Sequence, residues 1–247
     1  MNLSQEISKW IYNYGISIPV NSLVVGVSGG IDSAVVSTLC AMTGLKTIVV
    51  SMPIHQDMIQ FNLAQEHMNW LKSNYDNVEP ITKDLTILFD NFKTLFGTTE
   101  HKLGLANSRS RLRMVTLYQI ASINNGIVVG TGNKIEDFGI GFFTKYGDGG
   151  VDISPIADLT KTEVRKLAKE LNILDDIISA KPTDGLWDDG RTDEDQIGAS
   201  YEELEWVMSY SGKTNNLTQR QKKVFEIFEK FNKQNKHKMT PIPVFKK

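Results

Sequence analysis

Short, uniformly apolar runs alternate along this chain with longer segments in which apolar residues recur every three or four positions. SLVVGVS (22–28), KTIVVSMP (46–53) and GIVVGTG (126–132) are runs of the first kind, and NVEPIT (77–82) is a weaker one. Runs without polar alternation predict strands covered on both faces. Helical spacing predicts helices over residues 3–14, with Ser4 available as a cap, and over 32–42, 57–73, 85–96 and 103–124. Strands alternating with helices predict an α/β fold: a parallel sheet with helices on both faces.

Beyond Gly132 the rhythm breaks. Residues 133–154 are rich in glycine and carry Phe142, Phe143 and Tyr146. This reads as a long loop, and long loops in compact domains are usually functional or disordered. The aromatics argue against simple disorder. LTKTEVRKLAKEL (159–171) is a clear helix, opened by a capping box between Thr160 and Glu163. A polar loop (181–201) precedes two C-terminal helices, and the chain closes with the tail HKMTPIPVFKK, whose PIPVF predicts docking on the body.

Composition adds limits more than direction. With 247 residues, 40% of them hydrophobic, one domain spanning 1–247 can bury a core without disulfides or metal. The formal net charge of −2 gives a nucleic-acid partner no support. No apolar run approaches the roughly 18 residues of a membrane span, and the N-terminus lacks a secretory pattern. The single cysteine, Cys40, sits on an apolar stripe with Val36 and is expected in the core. One cysteine excludes an intrachain disulfide and fits a reducing compartment. The expectation is a soluble, cytoplasmic protein.

The chemistry concentrates at Ser28-Gly29-Gly30-Ile31-Asp32-Ser33, between a strand and a helix. Free N–H groups at a helix start attract anions, and glycines let a phosphate approach the backbone. Asp32 could hold magnesium beside the phosphates. A capped βα turn would not need paired glycines, flanking serines and an internal acid. Neither GxxxxGK[ST] nor GxGxxG is present, which disfavours the P-loop and the dinucleotide-binding turn.

SGGxDS instead resembles the signature of ATP pyrophosphatases. ANSRSRLRM (106–114), GTGNKIEDFG (130–139), GFFTKYGDGGVDISPIADLTKTEV (141–164), KPTDGLW (181–187), TDEDQIGASY (192–201) and HKMTPIP (237–243) resemble, in order, landmarks of the ammonia-dependent NAD synthetases. The resemblance implies a Rossmann-like, doubly wound sheet of the adenine nucleotide α-hydrolase type. It also implies a homodimer that amidates deamido-NAD with ammonia, using ATP and Mg2+, through an acyl-adenylate. Other ATP pyrophosphatases, and a non-catalytic nucleotide sensor with the same cradle, are the rival readings. Sulfur-transferring members that use cysteine pairs are disfavoured by the lone Cys40.

Residue by residue, the resemblance makes Gly26, Val27, Ser28, Gly29, Gly30, Ile31, Asp32 and Ser33 the ATP loop, joined by Thr131, Lys161 and Thr183. It makes Asp32 and Lys161 the catalytic pair, and Asp32 and Glu136 the metal ligands, with Asp137 able to share the role of Glu136. Arg111, Lys145, Asp152, His237 and Lys238 would hold deamido-NAD. Two of these stand out from the residues alone. Arg111 projects about 40° from Val115 on a helix that is apolar all round, so it must find an anion or reach solvent. Arg109 and Arg113 project elsewhere and read as surface charges. The all-round apolar helix itself suggests a subunit interface. Lys161, at the first position of its helix, opposes the helix dipole, a local misfit of the kind often found at functional sites.

Overall fold

The computed structural model describes residues 2–97, 101–183, 185–186, 191–212 and 217–247. Its sheet is parallel, in the order β3-β2-β1-β4, with β1 at Ser22–Gly26, β2 at Lys46–Ser51, β3 at Val78–Thr82 and β4 at Gly126–Val129. Val24 lies beside Ile48 on one side and Val128 on the other. The first helices are α1 Leu3–Ser17, α2 Ile31–Ala41, α3 Met58–Asn74, α4 Thr86–Thr94 and α5 Lys102–Ile123. After the sheet come α6 Lys161–Glu170, α7 Asp175–Ser179, α8 Asp193–Ile197, α9 Tyr201–Ser209 and α10 Gln219–Met239.

The unbroken apolar runs have a simple cause. Leu23, Val25, Ile127 and Val129 pack under α1, α2, α6 and α7. Their neighbours Val24 and Val128, with Ile48 and Val50 of β2, pack on the opposite face under α4 and α5. Strands β1 and β4 therefore feed two cores and leave polar residues no face to occupy, whereas the edge strand β3 exposes Glu79 and Thr82. Val49 and Val78 meet α3 in a smaller cluster. Cys40 is fully buried in the first core, as expected. No helix among the described residues is long and apolar enough to cross a membrane.

Four local readings change. The cap of α1 is Asn2, whose side chain accepts from the Gln5 N–H, while the Ser4 hydroxyl donates to Glu170 at 2.8 Å. Within the glycine-rich segment, Ile135–Ile140 forms a single π-helical turn rather than loop. The Asn133 side chain starts this turn by accepting from the Ile135 and Glu136 N–H groups. Asn232 and Asn235 of α10 end it by donating to the Gly139 and Ile140 carbonyls.

The third difference is α8, a short capped helix in what reads as polar loop; its N-cap Thr192 accepts from the Asp195 N–H. The fourth is the C-terminus. His237 and Lys238 lie in the last turn of α10, not in a tail. The helix ends only at Thr240, forced into extended backbone by the proline that follows. Among the described residues the PIPVF segment does not dock: Ile242, Val244 and Phe245 are 65%, 76% and 91% exposed. The third apolar cluster, around the π-turn, α9 and α10, is already closed by Phe228 and Phe231.

Candidate active site

From β1 the chain moves outward to β2 and β3, then returns on the other side as β4. The boundary between β1 and β4 is thus the point where winding reverses, the place where open α/β sheets bind ligands. A cavity of about 480 Å3 opens beyond the carboxyl ends of these two strands.

On the β1 side the SGGIDS loop enters α2. Gly29 has φ +88°, and a Cβ there would sit 2.4 Å from the backbone oxygen of Gln60. Only glycine fits that approach. The Ser33 hydroxyl accepts from the Ser28 N–H at 3.2 Å and donates to the Gly30 carbonyl at 2.9 Å. Among the described residues no side chain caps α2, whose N-cap is Gly30. The positive end of its dipole is left to an anionic ligand.

Lys161 joins the two sides. Its side chain is almost fully buried, and its ammonium lies 2.5 Å from Asp32 Oδ2 and 3.3 Å from Glu136 Oε1. It also stands 4.5 Å above the ring of Tyr201. Burial alone would lower the lysine pKa, but Asp32 and Glu136 outweigh it and hold the group above its ordinary value. The misfit at the first position of α6 is resolved: the charge belongs to the two carboxylates.

Asp137, Asp148 and Asp193 also line the cavity. Asp137 is pushed up to about 7, by burial first and then by Glu136, Asp148 and Asp32. Asp148 accepts from the Ser110 hydroxyl at 2.6 Å and the Thr144 N–H at 3.0 Å.

The residues assigned to ATP converge. Gly26, Val27, Ser28, Gly30, Ile31, Asp32, Ser33, Thr131, Lys161 and Thr183 all line this cavity, as does Glu136. In KPTDGLW, Asp184 and Trp187 lie outside the described residues. The set assigned to deamido-NAD divides. Lys238 lines the cavity and donates to the Gly141 and Phe143 carbonyls at 2.9 and 2.8 Å. Lys145 donates instead to the His237 carbonyl at 2.8 Å. Asp152 holds the end of β4, accepting from the Val128 N–H at 2.7 Å and the Tyr118 hydroxyl at 3.1 Å.

Two arginines of α5 depart from the expectation of surface charges. Arg111 is exposed and donates to the Lys145 carbonyl at 3.3 and 3.4 Å. Arg109 is buried, donating to the Leu186 carbonyl at 2.7 Å and lying 4.8 Å from the Phe89 ring. Arg113 lines the cavity, bound to the Met52 carbonyl and the Gln56 side chain. The helix turns its Arg109–Arg113 sector toward the sheet edge and the cavity, a choice that angular spacing alone does not fix.

Sequence reasoning also missed Asn133, Asp193 and Tyr201. Asn133 is fully buried and its amide points at Asp32 Oδ1, 3.5 Å away. The one available signal was its place three residues before Glu136, the spacing of a side-chain cap. Tyr201 is fully buried, with its hydroxyl 2.6 Å from Glu136 Oε1 and 3.3 Å from Asp193 Oδ2. Burial, then the neighbouring carboxylates, raise its pKa well above the ordinary value, so it keeps its proton.

The sequence carries the same assignment. It matches the family model of NAD synthase over residues 3–242. The chain belongs to the NAD synthase family. It is a nucleotide-binding ligase of NAD biosynthesis. The NH3-dependent NAD(+) synthetase of Finegoldia magna is 35% identical over 240 residues, covering 96% of this chain and 92% of that one. Among solved NAD synthase structures and their kin, the NMN synthetase of Francisella tularensis superimposes with a TM-score of 0.88 at 32% identity, covering 98% of this chain and 96% of that one. The NH3-dependent NAD synthetase of Campylobacter jejuni gives a TM-score of 0.79 at 25% identity, covering 98% and 97%.

Proposed function

We propose that this NAD synthase amidates the nicotinate carboxylate of deamido-NAD with free ammonia, at the cost of ATP cleaved to AMP and pyrophosphate. The observation that carries the reading is Lys161 held between Asp32 and Glu136 at the mouth of an uncapped phosphate loop. A carboxylate cannot be amidated directly, because oxide is too poor a leaving group. Attack on the ATP α-phosphate turns it into an acyl-adenylate, and ammonia then displaces AMP. The loop N–H groups and Lys161 offset the charge of the departing pyrophosphate. The rest of the cavity wall holds the two substrates in line.

Asp32 and Glu136 suit Mg2+, which binds through one or two carboxylates and completes its shell with phosphate oxygens and water. No group of three or more His, Cys, Asp or Glu among the described residues forms a metal cage, which fits an ion that arrives with ATP. Such an ion supplies positive charge to the phosphate oxygens. Arg111, Lys145, Asp152, His237 and Lys238 are proposed as deamido-NAD contacts. Those outside the cavity wall are assigned to the far end of the dinucleotide, next to a second subunit. The homodimer and a cytoplasmic location remain part of this proposal.

A second reading concerns the acid that is amidated. The superposition on the Francisella tularensis NMN synthetase favours nicotinate mononucleotide as an alternative acceptor. It shares the nicotinate carboxylate but lacks the adenylate half, so the same chemistry applies.

The test is incubation with ATP, Mg2+, ammonium and either acid, following AMP and the amide. AMP formed only with an acid supports the proposal, and the ratio of kcat/KM for the two acids decides the acceptor. Formation of ADP, or AMP release independent of any acid, would sink it. Light scattering on the purified protein checks the dimer.

A further inference from the structure

We infer that Tyr201 is a positioning residue for Glu136, fixing which carboxylate oxygen faces the substrates. The inference rests on the reading of Glu136 as part of the working site. Glu136 stands at the second position of the π-turn, on a side chain with several rotatable bonds. Two donors converge on the same oxygen, Oε1: the Tyr201 hydroxyl at 2.6 Å and the Lys161 ammonium at 3.3 Å. Among the described residues, Oε2 accepts no hydrogen bond. One oxygen is thus anchored to the protein and the other is left for a ligand.

The anchor is itself built into the fold. Tyr201 opens α9, whose N-cap Ser200 accepts from the Glu203 N–H. The Tyr201 N–H donates to Glu194 Oε1 at 3.0 Å, tying α9 back to α8. A phenol carries one proton, and two carboxylates lie within reach of it, Glu136 and Asp193. The shorter contact gives that proton to Glu136. Asp193, the first residue of α8, donates its N–H to the Pro182 carbonyl at 3.0 Å, next to Thr183 of the cavity wall. The hydroxyl therefore serves Glu136, while Asp193 lies beside it at 3.3 Å. A ring packed in a core needs no hydroxyl; this one is aimed at the site.

The experiment compares wild type, Y201F, E136Q and the Y201F/E136Q double variant in AMP formation, with thermal melts of each. Y201F keeps the ring under Lys161 and removes only the hydroxyl. The expected result is a kcat lowered about ten- to a hundredfold, the scale of one hydrogen bond to a charged group. KM for ATP stays within about twofold and the melting temperature within about 4 °C. The double variant should lose no more than E136Q alone, because the hydroxyl acts only through Glu136. E136D, too short to meet the phenol, should match Y201F and serves if Y201F does not fold. Wild-type kcat in Y201F, or in E136D where Y201F does not fold, overturns the inference; so does a double variant whose losses multiply. Undiminished turnover in E136Q instead removes Glu136 from the working site, and the positioning role falls with it.

Discussion

The ammonium of Lys161, on the first turn of α6, meets the carboxylate of Asp32, on the first turn of α2, at 2.5 Å. Asp32 carries the sign that its helix N-terminus favours, Lys161 the opposite sign, so the carboxylate offsets what the α6 dipole opposes. Replacing Lys161 by Met keeps length and removes charge, leaving Asp32 and Glu136 facing each other. Breaking a buried pair in this way costs roughly 3–5 kcal/mol. K161M should therefore lose stability in urea at pH 7 and lose at least about a hundredfold in AMP formation. A variant as stable as wild type would remove the argument that Lys161 compensates the two acids.

Gly29 is held at φ +88° with the Gln60 carbonyl where a Cβ would stand. Gly29→Ala should destabilise the fold by roughly 2–4 kcal/mol, combining backbone strain with displacement of α3. ATP binding, followed by equilibrium dialysis without the second substrate, should fall with it. Normal stability and binding in G29A would mean that the loop relaxes without cost.

His67 is buried beside Ser37, at 2.9 Å, and burial lowers its pKa to about 4 from an ordinary 6.5. Between these values the unfolded chain binds a proton that the folded chain does not. The stabilising contribution is complete above about pH 6.5 and is lost as pH falls toward 4, by roughly 3 kcal/mol. In His67→Leu the urea midpoint should depend less steeply on pH across this window. Identical slopes in the two proteins would place the acid sensitivity elsewhere.

Cys40 is fully buried, and burial pushes its thiol pKa up. A thiol-specific dye should leave the native protein unlabelled over minutes and label one thiol per chain in denaturant. Rapid native labelling at turnover-neutral cost would show that the first core opens readily.

What was legible in the sequence follows from how local each feature is. β1, the SGGIDS loop and α2 form one contiguous unit, so apolar runs and glycines disclosed both the crossover and the cradle. The Thr160–Glu163 capping box placed Lys161 at the start of α6, and that position lines the cavity. Arg109 and Arg113 read as surface charges because helical angles tell which residues share a sector, not which sector is covered. That depends on a segment more than thirty residues away, whose Lys145 carbonyl Arg111 meets at the surface. The π-turn was illegible because it is imposed from outside, by Asn232 and Asn235 of α10. Tyr201 belongs to the same class: its hydroxyl finds Glu136 only after α9 has packed, and nothing in ASY announces it.

The network from Asp32 through Lys161 and Glu136 to Tyr201 has a consequence for synthesis on the ribosome. Its members are scattered from the second helix to the ninth, so no early fragment can assemble it. A nascent chain that has emerged only through β4 has the SGGIDS loop and Asp32, yet none of Glu136, Lys161 and Tyr201. Competence for chemistry thus arrives late and together, when α9 docks.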